Sequence, residues 1–328
     1  LRSYIYHIAV IYLPYWGHIS TMSDPFDYPA HYPGWIDDPK AVAAIAALQP
    51  IASFGDTPAG QDSSPLPDHV FLWDAARKVT GNLLPPRNQG NIGTCVSFGT
   101  ARAIEYTMCA EIAAGEPEHF RTIATEPIYG GSRVEIGKGR LGRGDGSVGA
   151  WAAQWVKDFG IIERAKHEGY DLSQYSVSLS RTWGSSGVPN NLESIAQLHP
   201  IKAITKITNW EQAKRALASG FGISICSDQG FAMVRDGEGF SRAHGSWSHC
   251  MCLSGYQTGI REGGRLDNSW GASSHTGPVG AGNPGPEGFW ADARIIDRML
   301  NYGDSWAFSA FDGFPARPDK SLDWTSHT

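Results

Sequence analysis

The 328-residue chain is 41% hydrophobic and 18% charged, with a formal net charge of −6 and a pI near 6.0. That composition supports one large core or two modest lobes. The absence of a basic stripe argues against a nucleic-acid partner, and no apolar run reaches the roughly 20 residues of a membrane-spanning helix.

Residues 1–21 have an apolar centre interrupted by His7 and Pro14, and the first methionine is Met22. They read as a signal-like segment or, preferably, as upstream sequence, with the functional product beginning near Met22. Residues 22–67 are rich in Pro, Asp, Gly and Ser. They are expected to be an extension wrapped on the surface or partly disordered, interrupted by a short helix at 39–48. A packed domain is expected over 68–310, followed by a tail at 311–328. Its helical lobe would span about 90–175 and its β-rich lobe about 201–300.

Residues 95–114 read as a helix with Ala101, Ile104, Met108 and Ile112 in one apolar stripe. A second helix, 148–159, places Trp151 and Trp155 at core positions and stops at Gly160. Residues 176–200 show no clear period and read as an inserted loop. The pattern then turns to strands at 201–207, 222–227, 249–256 and 264–271, with a helix ending at Gly220 whose start resembles a capping box, Thr208-x-x-Glu211. Helices early and strands late imply two lobes, with a cleft between them as the natural binding site.

The five cysteines, Cys95, Cys109, Cys226, Cys250 and Cys252, are an odd number, so at least one thiol is free. They do not read as an obligatory disulfide framework, which favours a reducing, cytoplasm-like compartment, or secretion if residues 1–21 act as a signal. His249-Cys250-Met251-Cys252 invites a metal reading, but strand alternation turns His249 away from the two thiols, so no metal is expected.

A lone cysteine is usually a small buried apolar residue. Cys95 has different company: it opens a helix, where the dipole favours a thiolate, and follows Gln89 and two glycines in "RNQGNIGTCVSF". Acyl transfer by a thiol also needs a base, a group that orients the base, and donors for the developing oxyanion.

These segments resemble papain-like (C1) cysteine peptidases. "RNQGNIGTCVSF" is similar to the family's Q-G-x-C-G-S-C-W-A-F, "GSWSHCMCLSGY" to its N-H-A-V-x-x-V-G-Y, and "LDNSWG" to its K-N-S-W-G, in the same order. His249 and Asn268 lie slightly further beyond Cys95 than the roughly 130–150 residues of the family spacing. The resemblance covers about residues 68–300. It implies an α+β, papain-like two-lobe fold, with a helical N-terminal lobe, an antiparallel β-barrel-like C-terminal lobe and the active-site cleft between them.

It also implies roles: Cys95 as nucleophile, His249 as base, Asn268 orienting the ring, and Gln89 with the Cys95 N–H as oxyanion donors. Trp270 would shield the Asn268–His249 contact. Gly146 and Ser147, in "GDGSVGAW", would belong to the strip that pairs with substrate backbone.

The sequence departs from the pattern at Ile92, where a disulfide cysteine is common, and at Thr94, Val96 and Ser248. These departures leave substrate preference open and remove no catalytic group. The remaining histidines, His244 and His275 among them, are expected to face solvent.

The expected function is hydrolysis of peptide bonds in a peptide or protein substrate, with no cofactor. Two other readings stay open. One is an amidase, exopeptidase or transpeptidase with the same chemistry. The other is a binding or structural protein, part of a larger assembly, in which the extended N-terminus and the Gly/Pro segment 271–288 serve association.

Overall fold

The computed structural model describes residues 34–316; the expectations for residues 1–21 and for most of the tail lie outside them. The helical part comprises α1 (Pro39–Ala47), α2 (Pro58–Gln61), α3 (Leu72–Thr80), α4 (Cys95–Ala113), α5 (Thr125–Gly131) and α6 (Gly149–Phe159). It continues with α7 (Val177–Ser186) and α8 (Asn190–Ala196). Strand β1 (His69–Phe71) precedes α3, and the short hairpin β2 (Lys166–His167) and β3 (Tyr170–Asp171) follows α6. The second part holds β4 (Ala203–Lys206), α9 (Trp210–Ala218), β5 (Ile223–Arg235), β6 (Ser241–Gln257) and β7 (Gly263–Asp267). It ends with β8 (Gly288–Asp292), α10 (Ala293–Leu300) and β9 (Trp306–Ser309). Helices lead and strands follow, so the fold is α+β with two lobes.

Among the described residues the main sheet is antiparallel, in the order β4-β9-β5-β6-β7-β8, with β1 added to the far end of β6. The β5–β6 ladder is regular from Ile223 opposite Leu253 to Ser227 opposite His249, and slips beyond that point. His249 therefore sits where the regular ladder gives way to irregular pairing, the kind of place at which strands re-aim side chains.

Helix α4 is buried on nearly every side, not only along the expected stripe, because it lies between α3 and the sheet. Its charged members are paired: Glu105 accepts from Arg87 and from the Ile123 N–H at 2.9 Å. Gly99 allows close approach to the sheet, since a Cβ there would stand 2.8 Å from Cys250 Sγ. That approach brings the start of α4 against β6.

The structure departs from the sequence reading in four places. The described part of the extension, 34–67, carries the expected short helix as α1 and is more than a surface wrap, since Trp35, Val42, Ile45, Phe54 and Ala59 are buried. Residues 176–200 are not a plain loop but carry α7 and α8. Their apolar spacing is short, yet Trp183 and Leu192 are buried and the Ser176 side chain caps α7. The cap of α9 is Asn209, whose side chain accepts from Gln212 N; Thr208 instead donates to the Gln212 side chain. The strand expected at 264–271 ends at Asp267, and the Gly/Pro segment 271–288 that follows packs on β5, Thr276 N donating to Met233 O at 3.0 Å, and on α3, Gly282 O accepting from Trp73 Nε1 at 2.9 Å.

Candidate active site

Cys95 is the first residue of α4 and is fully buried. Burial pushes its thiol well above the ordinary value; the backbone N–H groups of Cys250, Val96 and Cys95 itself pull the other way. His249, 2% exposed, binds the Asn268 side chain, Nε2 to Oδ1, at 2.9 Å. The Cys252–Asp267 pairing of β6 with β7 sets the two close. Asn268 Oδ1 also accepts the Ser269 N–H at 2.7 Å.

Trp270 lies over the His249 ring at 4.5 Å between centroids, and Trp247 packs edge-on to Trp270 at 4.7 Å. This aromatic cover makes the site dry. Burial drops the His249 pKa to about 4, with the Asn268 bond opposing.

Gln89 is buried, and its amide orientation is fixed at both ends. Nε2 donates to Ile92 O at 2.9 Å and Oε1 accepts from Ser269 Oγ at 2.7 Å. One amide hydrogen remains to be aimed elsewhere. The Gln89 loop lies along the Asn268 segment: Gln89 N donates to Ser269 O at 2.8 Å and Gly271 N to Arg87 O at 2.9 Å.

The supposed insertion, with the tyrosine just before it, supports the same loop. Tyr175 Oη donates to Gln89 O and contacts Thr94 Oγ1, both at 3.1 Å, and Arg181 donates to Asn91 O at 2.8 Å. Sequence reading missed these supports because they come from a stretch with no motif.

Gly146 and Ser147 lie on the helical side of the cleft. Gly146 turns its backbone inward, with N donating to Tyr129 Oη at 3.1 Å and O accepting from Arg133. Ser147 presents its backbone to the cleft, and the cleft is occupied. Ser147 N donates to Gly34 O at 2.8 Å, and Ile36 N donates to Ser147 O at 2.9 Å.

On the opposite wall, the N–H groups of Gly34 and Trp35 both donate to Ser248 O at 3.0 Å. Residues 34–36 thus lie as an extra strand between the lobes. They cross directly over the thiol: a Cβ on Gly34 would stand 2.5 Å from Cys95 Sγ, so only glycine fits. Trp35 anchors the strand, its Nε1 donating to the buried Asp304 at 2.8 Å. Asp304 also takes the Gly149 N–H at 2.7 Å and Trp306 Nε1 at 2.8 Å.

The geometry can be set beside known proteins. No family profile matches the sequence, and no curated protein sequence does. Solved structures match over most of the chain. Xylellain, a cysteine protease from Xylella fastidiosa, superposes with a TM-score of 0.55 at 17% identity, covering 85% of this chain and 96% of its own. The fold is papain-like. A digestive procathepsin L2 from Tenebrio molitor gives 0.54 at 15% identity over 86% of this chain and 79% of its own. A procathepsin B from Trypanosoma congolense gives 0.52 at 12% identity, over 85% of each chain. In this papain-like frame, the thiol, the imidazole and the two amides named from the sequence gather at the junction of the lobes.

His275 does not face solvent as expected. It is 3% exposed, its Nε2 lies 3.3 Å from Asn268 Nδ2, and its ring packs on Phe289 at 4.6 Å. No sequence signal pointed to it, because it stands in a Gly/Pro-rich run that reads as a surface loop.

Proposed function

We propose that the chain is a cysteine peptidase held closed by its own residues 34–36. The observation that carries this reading is the His249–Asn268 bond under Trp270, at the cleft where Cys95 opens α4. In the open site, Cys95 transfers its proton to His249 and attacks the scissile carbonyl. The N–H of Cys95 and the remaining amide hydrogen of Gln89 receive the oxyanion. His249 returns the proton to the leaving amine, and water, deprotonated by His249, cleaves the acyl-enzyme. Ser147 and Ser248 would pair with substrate backbone, as they now pair with residues 34–36.

In the closed state both partners are kept neutral at pH 7, since burial raises the thiol and lowers the imidazole. Displacing the strand would readmit water and allow the ion pair to form.

One observation favours a second reading, a binding protein on a peptidase fold. Cys95 is walled off, so a permanent cover would leave no path for a peptide. The test is digestion of a peptide mixture by a Trp35→Ala chain, read as new termini by mass spectrometry. Peptide cleavage that disappears in Trp35→Ala/Cys95→Ala supports the peptidase. Turnover of small amides or trimming of chain ends alone would move the assignment to an amidase or exopeptidase. No turnover by a folded, reduced sample would favour the binding reading.

A further inference from the structure

We propose that His275 is a positioning residue of this site: its unprotonated Nε2 accepts an amide hydrogen of Asn268 and holds that amide with Oδ1 turned to His249. The proposal rests on the peptidase reading of the same cleft.

The direction of the contact follows from Asn268. Its Oδ1 receives the Ser269 N–H at 2.7 Å and faces His249 Nε2 at 2.9 Å. The atom facing His275 is therefore the amide nitrogen, which only donates. His275 Nε2, 3.3 Å away, is then the acceptor, and the ring proton belongs on Nδ1, which is buried without a hydrogen-bond partner among the described residues. A flipped Asn268 amide would meet N–H groups with N–H and a lone pair with a lone pair. His275 thus makes the orientation over-determined.

The ring is held firmly enough to do this. Ser274 turns back onto Gly271, its Oγ donating to Gly271 O at 2.9 Å. Thr276 is stitched to β5, its N donating to Met233 O at 3.0 Å and its O accepting from Arg235 N at 2.9 Å. The Arg235 guanidinium holds His275 O at 3.2 Å and Gly277 O at 2.8 Å, and reaches Gly288 O at the start of β8 at 2.7 Å. Phe289 closes the face of the ring.

The surroundings also keep His275 neutral. Burial lowers its pKa to about 3, helped by Arg235 from β5, Arg265 from β7 and His249 from β6. A neutral acceptor at the end of the His249–Asn268–His275 chain is polarised in the favourable sense when His249 becomes an imidazolium, because consecutive hydrogen bonds reinforce one another. His275 touches no reacting atom and acts through Asn268.

Two readouts test this on the full chain. The first is nitrogen and carbon NMR of histidine-labelled protein, with His275 assigned by its loss in His275→Gln. The expected spectrum has Nδ1 protonated, Nε2 bare and no titration between pH 8 and 5. A protonated Nε2, or a midpoint near 6.5, would overturn the proposal whether or not the protein has activity.

The second is the pH profile of Cys95 alkylation in the Trp35→Ala background. His275→Phe should slow the reaction about fivefold, the worth of one neutral hydrogen bond. It should also shift the alkaline limb downward, since the imidazolium loses support, and His275→Gln, which keeps an acceptor, should restore both. If His275→Phe does not fold, the tautomer and the His275→Gln profile still decide. Identical rates and profiles in a folded His275→Phe would refute the proposal. A Cys95 that never alkylates in any background would instead count against the peptidase reading, and the tautomer would still judge His275.

Discussion

The two walls of the cleft are assembled differently. The helical wall draws Gln89 and Cys95 from one short stretch, with Ser147 added from the turn before α6. Its groups are a thiol, an amide and backbone N–H and C=O. The β wall gathers side chains from separate segments: Trp247 and His249 on β6, Asn268 and Trp270 after β7, and His275 on the loop beyond. Strand register and a folded-back loop create it. One wall is encoded locally, whereas the other exists only once the sheet has formed. Residues 34–36 bind both, through Ser147 on one side and Ser248 on the other.

The largest expected effect breaks the β wall. His249→Ala, in a chain opened by Trp35→Ala, should lower peptide hydrolysis by about 10²–10⁴-fold, the usual worth of a positioned acid–base group. On the helical wall, Gln89→Ala should lower kcat by about 10²–10³-fold with little change in KM, as expected of a donor that meets charge only in the transition state. Equal losses in kcat and binding would mean that Gln89 merely holds the loop.

The strand between the walls should respond next. Trp35→Ala removes a buried indole worth about 3–5 kcal/mol. About 3 kcal/mol corresponds to roughly a hundredfold rise in the open fraction. Hydrogen exchange at Gly34 and Ile36 would read it. Asp304→Asn keeps the shape but gives Trp35 Nε1 a weaker acceptor, and should open the strand less.

The smallest effect, counted per side chain, separates the walls by pH. The β wall buries two histidines held neutral, His249 near 4 and His275 near 3. Both would have ordinary values near 6.5 in the unfolded chain. The unfolded state therefore binds more protons below pH 6.5. The stability they contribute is complete above that value and is lost as pH falls toward 4, by about 1.4 kcal/mol per pH unit for each ring. Urea midpoints at pH 7 and pH 5 would show it, and His275→Gln should remove one histidine's share. An unchanged pH dependence in that variant would mean His275 is not buried neutral.

The contrast between the walls also explains what the sequence disclosed. The helix beginning at Cys95 was legible because its apolar spacing and the glutamine before it are neighbours in the chain. His249 and Asn268 were legible through short motifs, one on β6 and the other running off the end of β7. His275 was not, since its role depends on a loop returning to the end of β7. Tyr175 and Arg181 were hidden for the same reason, as was the α7 segment that carries Arg181. The strand at residues 34–36 was hidden most completely. A Gly-Trp-Ile run after Pro33 has no period, and its burial depends on two walls that lie far away in sequence.

The most direct measurement is labelling by a peptidyl epoxide, read by intact mass, on the full chain and on Trp35→Ala. A single adduct on Cys95 is expected, slow in the full chain and about a hundredfold faster in Trp35→Ala. It should be absent in Cys95→Ala and strongly slowed in His249→Ala. A folded, reduced Trp35→Ala chain that leaves Cys95 unlabelled, or labels equally with and without His249, would contradict a thiol peptidase kept closed by its own chain.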